Sequence, residues 1–377
     1  MTTATSVRGL LRPFTLADGL ARRVDNFLLL RMCAAAAVIY GHAHALVVTH
    51  GERDLFVRMG WGSYSGTIAV DLFFIVSGFL VTGSYLRRRN VFAFAWARAL
   101  RVVPGYAACL LASAFVLGAV HTTLPLATYF AHAGTLDYVQ VNLKLGTQLI
   151  WRLPEVFVDN PRRDTINGSI WTLPAEVRMY LWVAFAGALG ILARRWACTL
   201  LLSGLFVLGL LAPEHLWWVP HPAYVRLAGC FALGVLCYVH RDVIPANGWW
   251  LATCTVLAWA LRHTPMYPFA FALAEAAFVF WFAYRTRWHG YNRLGDYSYG
   301  LYLWGYPMQQ VVAHHLPATS PLANAALALP LALLAAVLSW HLVEKPAIGL
   351  KSAPRALRRT WLRWYPPRGA IATKDGA

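Results

Sequence analysis

Charge is scarce in this chain, and acid is scarcer than base. Asp, Glu, Lys and Arg together make up 13% of the 377 residues, with 16 acids against 33 bases. Soluble domains carry about twice that charged fraction, so an ordinary soluble enzyme is excluded. In place of charge the sequence has 59% hydrophobic residues and a mean hydropathy of +0.50, the composition of an integral membrane protein. Cysteine is also sparse. Cys33, Cys109, Cys198, Cys230, Cys237 and Cys254 all fall in apolar stretches with no CxxC pair, so neither a disulfide framework nor a metal site is expected. Internal repeats and low-complexity blocks are missing too, and nothing marks a second domain.

The formal net charge of +17 would suit nucleic acid if the bases formed one block. They sit instead between apolar runs, mostly on alternate sides. Runs of the roughly 20 residues a span needs occur ten times, at 27–48, 66–86, 103–121, 171–192, 197–213, 222–240, 248–264, 268–284, 297–313 and 321–343. With the N-terminus inside, the cytoplasmic loops hold Arg87, Arg88, Arg89, Arg98 and Arg101, whereas the outer ones hold few bases, among them Arg53, Arg58 and Arg262. The positive-inside rule then gives an all-α, polytopic membrane helical bundle of about ten transmembrane helices, with N- and C-termini cytoplasmic. Basic tails at 1–26 and 345–377 flank a transmembrane domain at 27–344. The charge is assigned to anionic membrane lipids, and nucleic acid is not an expected partner. The stretch "LKSAPRALRRTWLRWYPPRG" after the last span reads as a surface-lying amphipathic segment.

Two local signals carry little weight. Ala43-His44-Ala45 has the small-x-small form of a signal-peptidase site, but the long polar lead-in argues against cleavage. "NGS" at Asn167 matches a glycosylation sequon, a tripeptide common by chance. It lies in the outer segment 122–170, long enough to hold short interfacial helices over a cavity.

Polar groups inside apolar spans are expensive and therefore informative. Arg31 and His42 are eleven residues apart, three helical turns plus about 20°, which puts them on one face about 16 Å apart. A fixed cation near the cytoplasmic end thus shares a face with a proton-transfer group in the outer half. Snorkelling and helix–helix hydrogen bonding would explain the same pair. Asp71, on the next span, lies at a similar depth, where a carboxylate either orients the imidazole or meets water as a helix-end aspartate. Ser77 and Gly78 fall mid-membrane, where small residues admit a backbone or a thin ligand. Arg98 and Arg101, one turn apart before Pro104, suit a phosphate-rich ligand from the cytoplasm, although positive-inside charge also accounts for them. Glu176, in the first turns of the fourth span after Pro174, suits a helix N-terminus but also enters the membrane at the level expected for His42, where it would contact the acceptor.

Six motifs in order carry a resemblance. They are Arg-x10-His at Arg31 and His42, "DLFFIVSGFL" from Asp71, Arg-x-x-Arg at Arg98 and Arg101, "NGSIWTLPAE" ending at Glu176, "DYSYGLYLWGYP" from Asp296, and "LVEKP" around Glu344. The set resembles the acyltransferase-3 family of integral membrane O-acyltransferases, which modify bacterial cell-surface glycans. The resemblance implies transfer of an acyl group, most often acetyl, from cytoplasmic acyl-CoA to a hydroxyl of a surface polysaccharide or its lipid-linked precursor, in the bacterial inner membrane. Arg31, Arg98 and Arg101 would bind the donor, and the Ser77–Gly78 region would pass its pantetheine arm. His42 would act as general base or carry the acyl group transiently, and the residue reading adds Asp71 to orient it and Glu176 to contact the acceptor as further catalytic candidates. Acyl-CoA is a substrate here, with no permanently bound cofactor expected. One departure is Gly305, where the family often has histidine. A multi-pass transporter or flippase for an anionic or glycan-lipid substrate is the rival reading, and a scaffold for a glycan machine is the third.

Overall fold

A computed structural model describes residues 13–352, apart from 49–50, 164, 213–214, 216–218 and 220–221. Residues 1–12 and nearly all of the basic C-terminal segment, with its expected amphipathic character, lie outside the described residues.

The helices are α1 (Leu16–Ala21), α2 (Phe27–Leu46), α3 (Leu55–Arg58), α4 (Ser65–Arg88), α5 (Val91–Ala112), α6 (Gly118–His121), α7 (Leu126–Ala131), α8 (Ala133–Leu143), α9 (Thr172–Ala188), α10 (Arg195–Leu211), α11 (Pro222–Val239), α12 (Gly248–Ala260), α13 (Tyr267–Arg285), α14 (Ser298–His315), α15 (Pro321–Ser339) and α16 (Lys345–Gly349). No strand occurs among the described residues, only isolated bridges. Each of the ten apolar runs falls on a helix. Five stretches, Phe27–Leu46, Ser65–Arg88, Val91–His121, Tyr267–Arg285 and Pro321–Ser352, are long and apolar enough to cross a membrane. Others are short: α12 has 13 residues, about 20 Å against a hydrocarbon core of about 30 Å.

Close backbone approach sets the packing around α4. A Cβ on Gly78 would lie 2.0 Å from the Phe231 carbonyl oxygen on α11, and one on Gly234 would lie 2.1 Å from the Ile75 oxygen. Helices α4 and α11 therefore touch backbone to backbone, which only residues without a side chain permit. On the other flank, α2 meets α4 at Gly41, whose Cβ would fall 2.6 Å from the Gly66 nitrogen.

Helix α5 starts at Val91, with the Asn90 side chain accepting from the Ala93 N–H at 2.8 Å. Arg98, Arg101 and Pro104 thus share one continuous helix and do not lie in a loop before a span that begins at 103. A π-helical turn, Ser113–Leu117, joins α5 to α6, and a second, Trp340–Glu344, joins α15 to α16.

The N-terminal segment is folded where it is described. Thr15 and Asp18 form a capping box on α1, and Gly19 sits under the Tyr284 ring of α13.

The segment 122–170 holds the short helices α7 and α8, as its length suggested, and is tied to α14. The Gln310 side chain donates to the carbonyls of Arg162 and Thr165 at 2.7 and 2.5 Å, and the Asn167 amide donates to the Leu303 carbonyl at 2.9 Å. Asn167 is 1% exposed, so its side chain is a buried brace and not a sequon open to a glycan.

Candidate active site

Five of the eight residues picked from the sequence line one cavity of about 110 Å³: Arg31 from α2, Ser77 from α4, Arg98 and Arg101 from α5, and Glu176 from α9. Its walls include Phe73, Phe74, Tyr180, Tyr299 and Tyr302. The chamber is therefore apolar and aromatic, with cations concentrated in it.

Those cations are not equivalent. Arg31 Nη1 donates to Asp296 Oδ2 at 3.0 Å, and Arg101 Nη2 donates to the same oxygen at 2.5 Å. Arg101 Nη1 also lies 3.9 Å from Glu344 Oε2. Ser298 braces Asp296 at 2.7 Å, and Ser339 braces Glu344 at 2.9 Å. The π turn 340–344 delivers Glu344 to this cluster, and the absence of a side chain at Gly105 leaves it room, since a Cβ there would lie 3.1 Å from Glu344 Cγ. Burial raises the Asp296 carboxyl, but Arg31 and Arg101 outweigh it and hold the group well below the usual carboxylate range. Four motifs remote in sequence thus meet in one ion network.

Arg98 differs from both. Its guanidinium stacks over the Tyr180 ring at 5.8 Å, and its Nε is buried with no hydrogen-bond partner. Beside it runs a short relay in which Ser77 Oγ donates to the Tyr180 hydroxyl at 3.4 Å and Tyr180 donates to Glu176 Oε1. Glu176 thus opens into the arginine-lined chamber.

His42 does not line this cavity. Its ring packs edge-on against Tyr306 with centroids 5.2 Å apart, and its Nδ1 is buried without a partner although the residue as a whole is half-buried. Tyr306 is one turn along α14 from Tyr302, on the same face. Tyr302 closes the chamber, where its hydroxyl and that of Thr172 are 2.6 Å apart.

Two expectations need correction. Asp71 does not orient His42: its carboxylate accepts from Arg226 Nη1 of α11. Arg226 lies inside an apolar run and outside the loop charges that fix topology, so a topological sorting of bases passes over it. The donor atoms of Asp71, Cys230 and Glu275 lie within 4.8 Å of one another, a metal-like set, but the cation paired with Asp71 is Arg226. Gly78, expected beside a substrate arm, faces α11 and serves helix packing. Gly305 has a similar role, because a Cβ there would lie 2.6 Å from Ile39 Cγ1, on the helix that carries His42.

A family model described as an acyltransferase domain matches residues 24–341. The chain is similar to nodulation protein 10 of Rhizobium leguminosarum bv. viciae, 28% identical over 89% of this chain and 96% of that one. It is also similar to an O-acetyl transferase of Shigella phage Sf6, 26% identical over 86% of this chain and 96% of the other. No solved structure matches.

Proposed function

Because the chain belongs to the acyltransferase-3 family, whose domain covers residues 24–341, we propose that it is a membrane O-acyltransferase. It takes an acyl group, in the simplest case acetyl, from cytoplasmic acyl-CoA and delivers it to a hydroxyl of a cell-surface glycan or its lipid-linked precursor. It does so as a ten-span protein of the bacterial inner membrane with both ends in the cytoplasm. The relative named O-acetyl transferase supports the reaction class.

The observation that carries the reading is the single chamber joining Arg31, Ser77, Arg98, Arg101 and Glu176. Within it, Arg98 is the cation with unspent donors. Arg31 and Arg101 already serve Asp296, so an arriving phosphate is bound first by Arg98, in the charge-assisted mode that guanidinium favours. Arg101 acts as a keel that holds Asp296 and Glu344. About 110 Å³ is far less than a whole coenzyme thioester occupies, so the chamber holds a thin arm of the donor while its nucleotide stays nearer the surface.

The chemistry then proceeds at His42. The imidazole removes the proton of the acceptor hydroxyl, the alkoxide oxygen bonds to the thioester carbon, the C–S bond breaks, and the proton passes to the departing thiolate. With Nδ1 enclosed and unpartnered, Nε2 is the nitrogen left to act. The other route, in which His42 carries the acyl group transiently, uses the same nitrogen. No carboxylate fixes the tautomer, so the rate gain from this histidine is that of positioned base catalysis, about 10²–10⁴-fold.

The test is acyl transfer by purified protein. Wild type esterifies an acceptor glycan at the expense of acetyl-CoA, and His42→Ala binds the donor but transfers about 10²-fold or more slowly. Substrate flux across a vesicle with no acyl chemistry would overturn the proposal in favour of a transporter.

A further inference from the structure

Far from the chamber, three histidines meet where α6 ends and α14 ends. The Nε2 atoms of His121 and His315 are 3.4 Å apart. The His314 ring lies 5.3 Å from that of His121 and 5.1 Å from that of His315, and its Nδ1 is buried without a partner. Phe157 of the segment 122–170 covers the group, with its ring 4.8 Å from His121 and 5.6 Å from His314. Helix α14 has 18 residues, about 27 Å, and this group lies at the end opposite Asp296.

Tautomers decide what the group can do. His121 Nδ1 lies 2.9 Å from the Leu117 carbonyl oxygen, and a carbonyl only accepts, so Nδ1 carries the proton and Nε2 presents a bare lone pair. A hydrogen bond from a ring nitrogen to a backbone carbonyl is also the usual way a metal-binding histidine is oriented. The second Nε2 lies 3.4 Å away. Two nitrogens bound to one tetrahedral ion at about 2.0–2.1 Å are separated by about 3.3 Å. The two rings thus already stand at the spacing of a chelating pair.

We propose that His121 and His315 bind a divalent transition-metal ion of the Zn²⁺ class as a two-histidine chelate through their Nε2 atoms, with water completing the coordination and the His314 ring packed beside the pair. The ion would clamp the end of α14 to the end of α6 beneath Phe157. Imidazole suits Zn²⁺, Cu²⁺ and Ni²⁺ alike, so geometry and not affinity order identifies the occupant. The histidines at 121 and 314–315 are too far apart in sequence to form a ligand-spacing motif, so a search by spacing misses them.

The full-length chain, purified in detergent on a histidine-free tag and stripped with chelator, is titrated with Zn²⁺ by calorimetry and with Co²⁺ by visible absorption. Wild type should bind one ion per chain and give the intense bands of tetrahedral Co²⁺. His121→Ala and His315→Ala should each weaken binding at least tenfold. Because His315 is exposed, its substitution leaves folding intact, and Zn²⁺ should raise the melting temperature of wild type but not of His315→Ala. Equal binding by wild type and His315→Ala, or the absence of any saturable site, would overturn the proposal and leave the pair as hydrogen-bonded imidazoles.

Discussion

Arg98 and Arg101 are one turn apart on one helix, yet substitution should separate them. Arg101 serves two carboxylates, so Arg101→Ala leaves Asp296 and Glu344 with a lost partner and should lower the melting temperature and the yield of folded protein. Arg98 stacks on Tyr180 with its Nε unpartnered, so Arg98→Ala should fold normally. Its effect should fall on the donor, raising KM for acyl-CoA about tenfold or more with little change in kcat, the mark of lost ground-state binding. Steady-state kinetics and thermal melts on the two variants check this. Acid titration tests the same network. Asp296 is depressed in the folded state, so its contribution is complete above the ordinary carboxylate value of about 3.9 and is lost as pH falls through the lower folded value. Melting curves of wild type and Asp296→Asn should therefore differ at pH 7 and converge as pH drops below about 4. His42 drew attention in the sequence because a histidine in an apolar run stands out. The partner of Asp71 was not, because equal depth on neighbouring spans says nothing about which of two helices a carboxylate turns to.

At the scale of elements, the α4–α11 contact is the tightest point around the site. Gly78→Ala forces a methyl against the Phe231 carbonyl and should cost about 1–3 kcal/mol, seen as a lower melting temperature, with acyl transfer per folded molecule changed less than stability. Arg226→Met in the same pair of helices strands the buried Asp71 carboxylate and should cost on the order of 2 kcal/mol. A run such as "DLFFIVSGFL" announces a helix and a small-residue seam, but not which neighbour fills the seam. The length of α5 was hidden for another reason: its first three turns are basic and aromatic, so hydropathy alone starts the helix at 103. The π turn that aims Glu344 at Arg101 has no sequence signature at all.

For the whole molecule, hydropathy was an accurate guide to where helices lie and a weaker guide to how many cross the bilayer. All ten runs are helical, while five stretches meet the length and composition of a span. The lateral arrangement that gathers Arg31, Ser77, Arg98, Arg101 and Glu176 around one cavity depends on helix order in the plane, which a linear pattern does not encode. Paired phosphatase and fluorescent-protein fusions should read inside after residues 90 and 345 and outside after residue 160, and an outside reading after 345 would refute an even number of spans.

The most direct test is a single-turnover reaction of purified protein with labelled acetyl-CoA and a surface-glycan acceptor, comparing wild type with His42→Ala. Labelled ester should form with wild type, whereas the variant should retain donor binding and form ester about 10²-fold or more slowly. Ester formation by His42→Ala at the wild-type rate would contradict the assignment of the transfer step to that imidazole.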